Sequence, residues 1–330
     1  MSALFSPIRN LFRFHKLKVL GILAFALVFT LLFFPYDDLS DLVTAKVSQI
    51  TNNTVYLQFD SLGLGFAPPS VAMDEVVVET QTLPSIKAGH LSATPLLMGL
   101  LTGKPGGSVD AENLFGGVVA ADYREGDKPA KGSEATKIVG IDAKGLKLPE
   151  LSKFLRDANV APLSLQGVLD LSTNVTVDPL FNTQPNGDVE MKITNLVFPT
   201  QSLPVMGMKV AIPELKLGVT KLTAKMENGS LNISDFSFGN DKTVSGKVSG
   251  QLKVAFQRSN AGVTPMIGVY DLKVSLKMPP DFAQANQQGL NFAYGMMPGV
   301  RPQLGPDGGV QLAFRMQTGP NPQMPQFSAQ

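Results

Sequence analysis

The sequence predicts a mainly β protein: a single N-terminal transmembrane helix followed by one large, curved, mostly antiparallel β-sheet with few short helices. Three observations carry this. An uninterrupted apolar run, Val19 to Phe34, lies near the start of the chain. From Val55 onward, apolar and polar residues alternate with a period of two in segment after segment, as in strands with one buried face. Helical spacing occurs only in a few short stretches.

The apolar run reads VLGILAFALVFTLLFF, and no charge occurs from Val19 through Tyr36. With Leu17, Pro35 and Tyr36 it approaches the roughly 20 residues that a helix needs to cross a hydrocarbon core. Arg9, Arg13, Lys16 and Lys18 precede it, and no acid occurs before Asp37. That basic flank is expected to stay cytoplasmic and to send the rest of the chain across the membrane. A cleaved signal peptide is the competing reading. Its small-x-small site, Ala24-Phe25-Ala26, falls in the middle of the run, and Pro35-Tyr36-Asp37-Asp38 is a poor cleavage site. The expectation is therefore a cytoplasmic basic segment over 1–18, a signal anchor over 19–36, a β-rich domain over 37–316 and a tail over 317–330.

After the anchor, Leu39, Leu42, Val43, Val47 and Ile50 have helical spacing, with Asp38 or Ser40 as a candidate cap. The period then becomes two. Val55, Leu57 and Phe59 alternate with polar neighbours, Val76-Val77-Val78 is a β-branched run, and Ser85 to Ala93 reads as a strand. Pro95 to Leu101 is a short apolar helix or turn, and Leu114 to Ala121 reads as a strand with a glycine pair. Glu125 to Thr136 is a polar loop that divides the domain into sub-regions of about 37–124 and 137–316. Ile138 to Leu146 is a strand, and Pro149 to Ala158 is the one clear amphipathic helix, with Leu151, Phe154 and Leu155 on one face.

Strands fill the remainder. Asn186-Gly187 and Asn228-Gly229 read as turns, and a phase slip between Thr220 and Lys221 suggests a bulge. Pro279-Pro280 stops a long strand after Met278. Pro320, Pro322 and Pro325 mark 317–330 as a disordered tail.

Each alternating strand has one apolar face that must be covered. Roughly 12 to 15 strands spaced ~4.8 Å apart make a sheet about 60–70 Å wide, too wide for one helix of about three turns to cover. The sheet can close into a barrel or sandwich, pair with a second subunit, or stay a bent trough filled by lipid or an apolar segment of a partner. In the open case the candidate lipid-facing groove comprises Leu169, Leu171, Val175, Val177, Met191, Ile193, Leu231, Ile233, Val248, Leu252, Val254, Leu272, Val274, Leu276, Leu312 and Phe314. Lys247, Lys253, Lys273 and Lys277 fall on the opposite, wet face.

Composition narrows the function classes. The first 18 residues carry four of the 28 basic groups, leaving 24 basic against 27 acidic residues beyond them, a poor balance for nucleic-acid binding. Cysteine is absent, which removes disulfides, thiol catalysis and thiolate zinc sites. The only histidines, His15 and His90, cannot build a histidine-rich metal site. No G-x-S-x-G, S-x-x-K, H-E-x-x-H or P-loop occurs, so neither catalysis nor a cofactor is expected.

The order of motifs resembles a known group. Phe33-Phe34-Pro35 ends the anchor, and an acidic-capped helix follows. Next come Ser92-Ala93-Thr94-Pro95-Leu96-Leu97-Met98-Gly99-Leu100-Leu101-Thr102-Gly103-Lys104 and Asn113-Leu114-Phe115-Gly116-Gly117. Leu148-Pro149-Glu150-Leu151 through Pro162-Leu163-Ser164-Leu165-Gln166-Gly167 then opens a repeat of Gly-led strands. Over roughly residues 15 to 316 this is similar to the GspN family of type II secretion proteins, and more distantly to AsmA-like periplasmic proteins. The resemblance implies a single-pass protein of the bacterial inner membrane with its C-terminal domain in the periplasm. Its partners would be the inner membrane through 19–36, other secretion components and phospholipid or other lipid, held in an apolar β-groove as in AsmA-like proteins. It transfers no catalytic residues.

Overall fold

The computed structural model describes Phe25 and residues 39–66, 68–81, 83–128, 135–158, 163–205, 208–240, 242–259, 262–297, 299–319 and 325–329. Helix α1 (Ser40–Ile50) leads into β1 (Val55–Gln58), β2 (Ser61–Phe66), β3 (Pro69–Thr80) and β4 (Ile86–Pro95). Helix α2 (Leu97–Thr102) precedes β5 (Gly106–Leu114), β6 (Gly117–Glu125) and β7 (Lys137–Lys147). Helix α3 (Leu148–Asp157) is followed by β8 (Gln166–Val177), β9 (Asn186–Phe198), β10 (Gln201–Val205), β11 (Met208–Ile212), β12 (Leu215–Glu227), β13 (Ser230–Gly239), β14 (Ser245–Ser259) and β15 (Gly262–Met278). Helices α4 (Pro280–Ala285) and α5 (Gln287–Met296) precede β16 (Gln303–Leu304), β17 (Val310–Thr318) and β18 (Pro325–Ala329).

The result is mainly β, with 61% of the described residues in strands and one large curved antiparallel sheet. That sheet has 16 strands in the order β1-β3-β4-β5-β6-β7-β8-β9-β12-β13-β14-β15-β17-β16, with β2 also on β3 and β18 also on β17, while β10 and β11 form a separate hairpin. The two ends of this order do not pair with each other among the described residues, so the sheet is an open ribbon. At ~4.8 Å per strand the ribbon runs for about 60 Å.

Local chemistry sets the meander. Asn228 and Gly229, with φ of 48° and 75°, make the expected hairpin turn. Phe115 and Gly116, with φ of 48° and 72°, make another. The segment Leu114 to Ala121 is therefore two strands: Leu114 ends β5 opposite Gly117, which starts β6. Asn186-Gly187 is not a turn. Both residues sit inside the β8–β9 ladder, opposite Thr176 and Val175. The chain reverses earlier, where the Asp178 carboxylate accepts the N–H groups of Leu180 and Thr183 at 3.0 and 3.1 Å. The polar loop does not interrupt the sheet, because β6 and β7 pair from Val118↔Lys144 to Glu125↔Lys137.

Register shifts cross neighbouring strands in a row. They fall between Ala143 and Leu146 on β7, Gln166 and Val168 on β8, about Gly218 on β12, and between Ile233 and Phe236 on β13. Each bulge adds local twist and bends its strand, so a row of them curls the ribbon along one line. The slip anticipated after Thr220 lies at Gly218, whose φ of +67° only glycine takes without strain. It lets Leu217 and Thr220 both turn inward.

Helices α1 and α3 form where spacing anticipated them, and Pro149 sits in the first turn of α3. Helices α4 and α5 were not anticipated. Pro280, read as a strand stop, is also the start of α4, with Asp281 in its first turn. Gly289 and Gly295 weaken the helical signal of α5. The tail also departs from expectation: Pro325–Ala329 adds β18 along β17, placing Phe327 opposite Met316. No helix among the described residues is long and apolar enough to cross a membrane. The expected anchor over 19–36 lies outside the described residues, apart from Phe25.

Among the described residues, three small clusters make the core. Leu57, Leu62, Met73 and Val76 lie under α1; Leu148, Ile193, Leu196 and Leu217 gather at α3; Val274, Met278, Val300, Leu312 and Phe314 lie under α4 and α5. Among the described residues, the largest side chains that are fully buried are Val76 and Thr220. A sandwich or closed barrel of this many strands would bury whole Leu, Ile and Phe side chains along its length.

Candidate functional site: the inner face of the ribbon

Directly opposed residues of antiparallel strands project to the same face, so the register assigns every strand position to a side. Leu171 faces Ala143 on β7 and Met191 on β9. Met191 faces Leu222, and Leu222 faces Phe236. Phe236 faces Val248, which faces Val274, which faces Phe314. One apolar row thus crosses the ribbon from β7 to β17. A second row runs through Leu169, Ile193 and Thr220.

The anticipated groove residues all fall on this inner face. Leu169, Leu171, Val175 and Val177 come from β8, and Met191 and Ile193 from β9. Leu231 and Ile233 from β13 meet Leu252 and Gly250, and Val254 continues the face toward the strand end opposite Ile267. Leu272 and Leu276 flank Val274, opposite Met316 and Leu312. Cover differs along the face. Ile193, Val274, Leu312 and Phe314 are buried, the last three beneath α4 and α5, while the other anticipated groove residues stay half-buried.

The roof over β14, β15 and β17 is what sequence reasoning missed. Phe282, Ala283, Leu290, Tyr294 and Met297 pack onto Val274, Leu312 and Phe314, with Val248, Leu276 and Met316 around them. The signal was there: Phe282, Leu290 and Tyr294 repeat at near-helical spacing behind Pro280. Tyr294 Oη is buried with no hydrogen-bond partner among the described residues, and its burial raises the phenol pKa. Thr220 Oγ1 is likewise buried and has no partner among the described residues, under the middle of the ribbon.

The opposite face is polar. Asp170 lies beside Lys192, which lies beside Lys221, and Asp188 lies beside Lys225. Lys247, Lys253, Lys273 and Lys277 are all exposed. Asp271 and Arg315 form a two-point pair, with Arg315 Nε 2.6 Å from Asp271 Oδ1 and a second contact from Nη2 to Oδ2. That guanidinium holds the Asp271 carboxyl below its usual range.

His90, Asp74 and Ser61 meet on the outer face, but in an order that does no nucleophilic chemistry. Ser61 Oγ donates to Asp74 Oδ2 at 2.6 Å, and His90 Nδ1 lies 2.6 Å from Asp74 Oδ1. The carboxylate stands between hydroxyl and imidazole, so the imidazole does not reach the serine as a base. The Ser61 hydrogen bond, then His90, lowers the Asp74 pKa.

Fold and site define a class: an open antiparallel β-ribbon with one continuous apolar face, capped in patches by short helices. Comparison of this chain with family models, curated proteins and solved structures finds no match in any of the three.

Proposed function

We propose that this chain is a non-enzymatic protein anchored in the bacterial inner membrane through residues 19–36, whose periplasmic ribbon holds the hydrocarbon chains of lipid against its inner face. One observation carries the reading: an apolar face that continues across the ribbon and is left half-exposed between its helical caps. Each methylene moved from water to such a face gains about 0.8 kcal/mol, so an acyl chain is a strong occupant. The polar outer face keeps the loaded ribbon soluble.

The test uses the full chain, extracted in mild detergent, with a photo-cross-linking side chain placed at Leu171 or at Ser172. These neighbours face opposite sides of β8. Lipid adducts at Leu171 and none at Ser172 are expected. Equal labelling at both positions, or none at either, overturns the reading.

A second reading follows from the order of motifs that resembles GspN: the ribbon is a periplasmic component of type II secretion, docking other secretion proteins. Deleting the gene and assaying exoprotein export tests it. Unchanged export of every substrate removes it.

A further inference from the structure

Followed strand by strand over the residues whose side chains are described, the inner face presents apolar, glycine, tyrosine or threonine residues at its register-paired positions. Among the described side chains, the charged exceptions are Glu125 at the end of β6 and Lys137 at the start of β7. They are register partners of each other. Lys137 Nζ lies 3.9 Å from Glu125 Oε2, and the two side chains are 28% and 18% exposed. The ammonium also sits 5.6 Å from the centre of the Tyr123 ring. On its other flank Lys137 faces Val177, and Tyr123 faces Val139. The pair therefore stands at the lip of the ribbon, with uncharged wall beyond it.

Stability alone does not ask for charges there. An apolar pair of similar volume in a half-desolvated position holds two strands at least as well. A three-donor ammonium and a two-oxygen carboxylate can hold each other and a ligand atom together. The geometry points to a headgroup site: Lys137 takes the phosphate and Glu125 the ammonium of a zwitterionic phosphoethanolamine lipid, whose chains run inward along Val139, Val175 and Leu171. The inference rests on the lipid-holding reading and names the lipid class. An anionic head lacking an amine meets Glu125 with like charge. A neutral head offers neither group a charged partner beyond the pair itself.

The full chain in detergent is incubated with mixed vesicles of phosphatidylethanolamine, phosphatidylglycerol and diacylglycerol, re-isolated, and its retained lipid quantified by mass spectrometry. Phosphatidylethanolamine is expected to be enriched about tenfold over the other two, the scale of one charged contact. Lys137→Met lowers its retention and leaves diacylglycerol unchanged. Glu125→Gln erases the preference over phosphatidylglycerol. The double exchange Glu125→Lys with Lys137→Glu keeps the pair and its fold, checked by circular dichroism, and keeps the preference for the zwitterionic lipid. Retention of all three lipids without preference, or a preference that survives both single variants, overturns the headgroup site while leaving the lipid-holding reading standing. Retention of none overturns both.

Discussion

The middle of the ribbon, from β6 to β9, and its C-terminal end, from β14 to β17, are built from the same alternating pattern, yet they end up under different cover. At the C-terminal end α4 and α5 fold back over Val274, Leu312 and Phe314, and these side chains leave water. In the middle, Leu171, Val175 and Val177 have no helix packed over them among the described contacts and remain half-buried. The contrast teaches that alternation specifies which face is apolar, not what covers it. Cover depends on whether the chain carries a helix at the right place to return over the face.

Charge insertion breaks this comparison most directly. Leu312→Asp places an unpaired carboxylate in the roofed cluster and is expected to cost about 3–5 kcal/mol, seen as a large drop in melting temperature. Leu171→Asp on the open face is expected to cost about 1 kcal/mol or less, because water reaches the new charge. Equal losses at the two sites would mean that the middle is as closed as the end.

Smaller changes sharpen it. Gly229→Val forces a β-branched residue to φ +75° in the β12–β13 turn and should cost about 1–3 kcal/mol in denaturant unfolding, wherever the cover lies. Tyr294→Phe removes a hydroxyl buried without a partner among the described residues, so stability should hold or rise by about 1 kcal/mol. A clear loss would mean that the hydroxyl is satisfied in solution and that the roof stands further from the sheet.

The smallest effect is acid sensitivity of the outer face. The Asp74 and Asp271 carboxyls both have folded pKa values below their ordinary range, lowered first by the Ser61 and Arg315 hydrogen bonds respectively. Their stabilisation is therefore present above the unfolded pKa of about 3.9 and is lost as pH falls through the folded values. Asp271→Asn should flatten the acid limb of a stability–pH curve measured by urea unfolding, without altering lipid retention.

Most strands were legible because alternation is a local signal. Val248, Leu252, Leu272, Val274, Leu312 and Phe314 announce their common face within their own strands. Where short-range signals compete, the reading slipped. Phe115-Gly116 forms a turn without the usual Asn or Asp, while Asn186-Gly187 has turn chemistry but lies in the ladder because Asp178 closes the reversal first. The tail residues Pro325–Ala329 are poor strand formers alone and pair only because β17 offers an edge and Phe314 packs against Phe327, ring centres 5.9 Å apart.

By itself the sequence determined the fold class, the two-sidedness of the strands and the face on which the apolar residues gather, since each follows from neighbours two residues apart. Only the tertiary structure decided that the ribbon stays open, that bulges in adjacent strands line up to bend it, that α4 and α5 roof one end, and that Glu125 meets Lys137 on the inner wall. Those outcomes join residues far apart in the chain, and the register between strands, which no single segment encodes, brings them together.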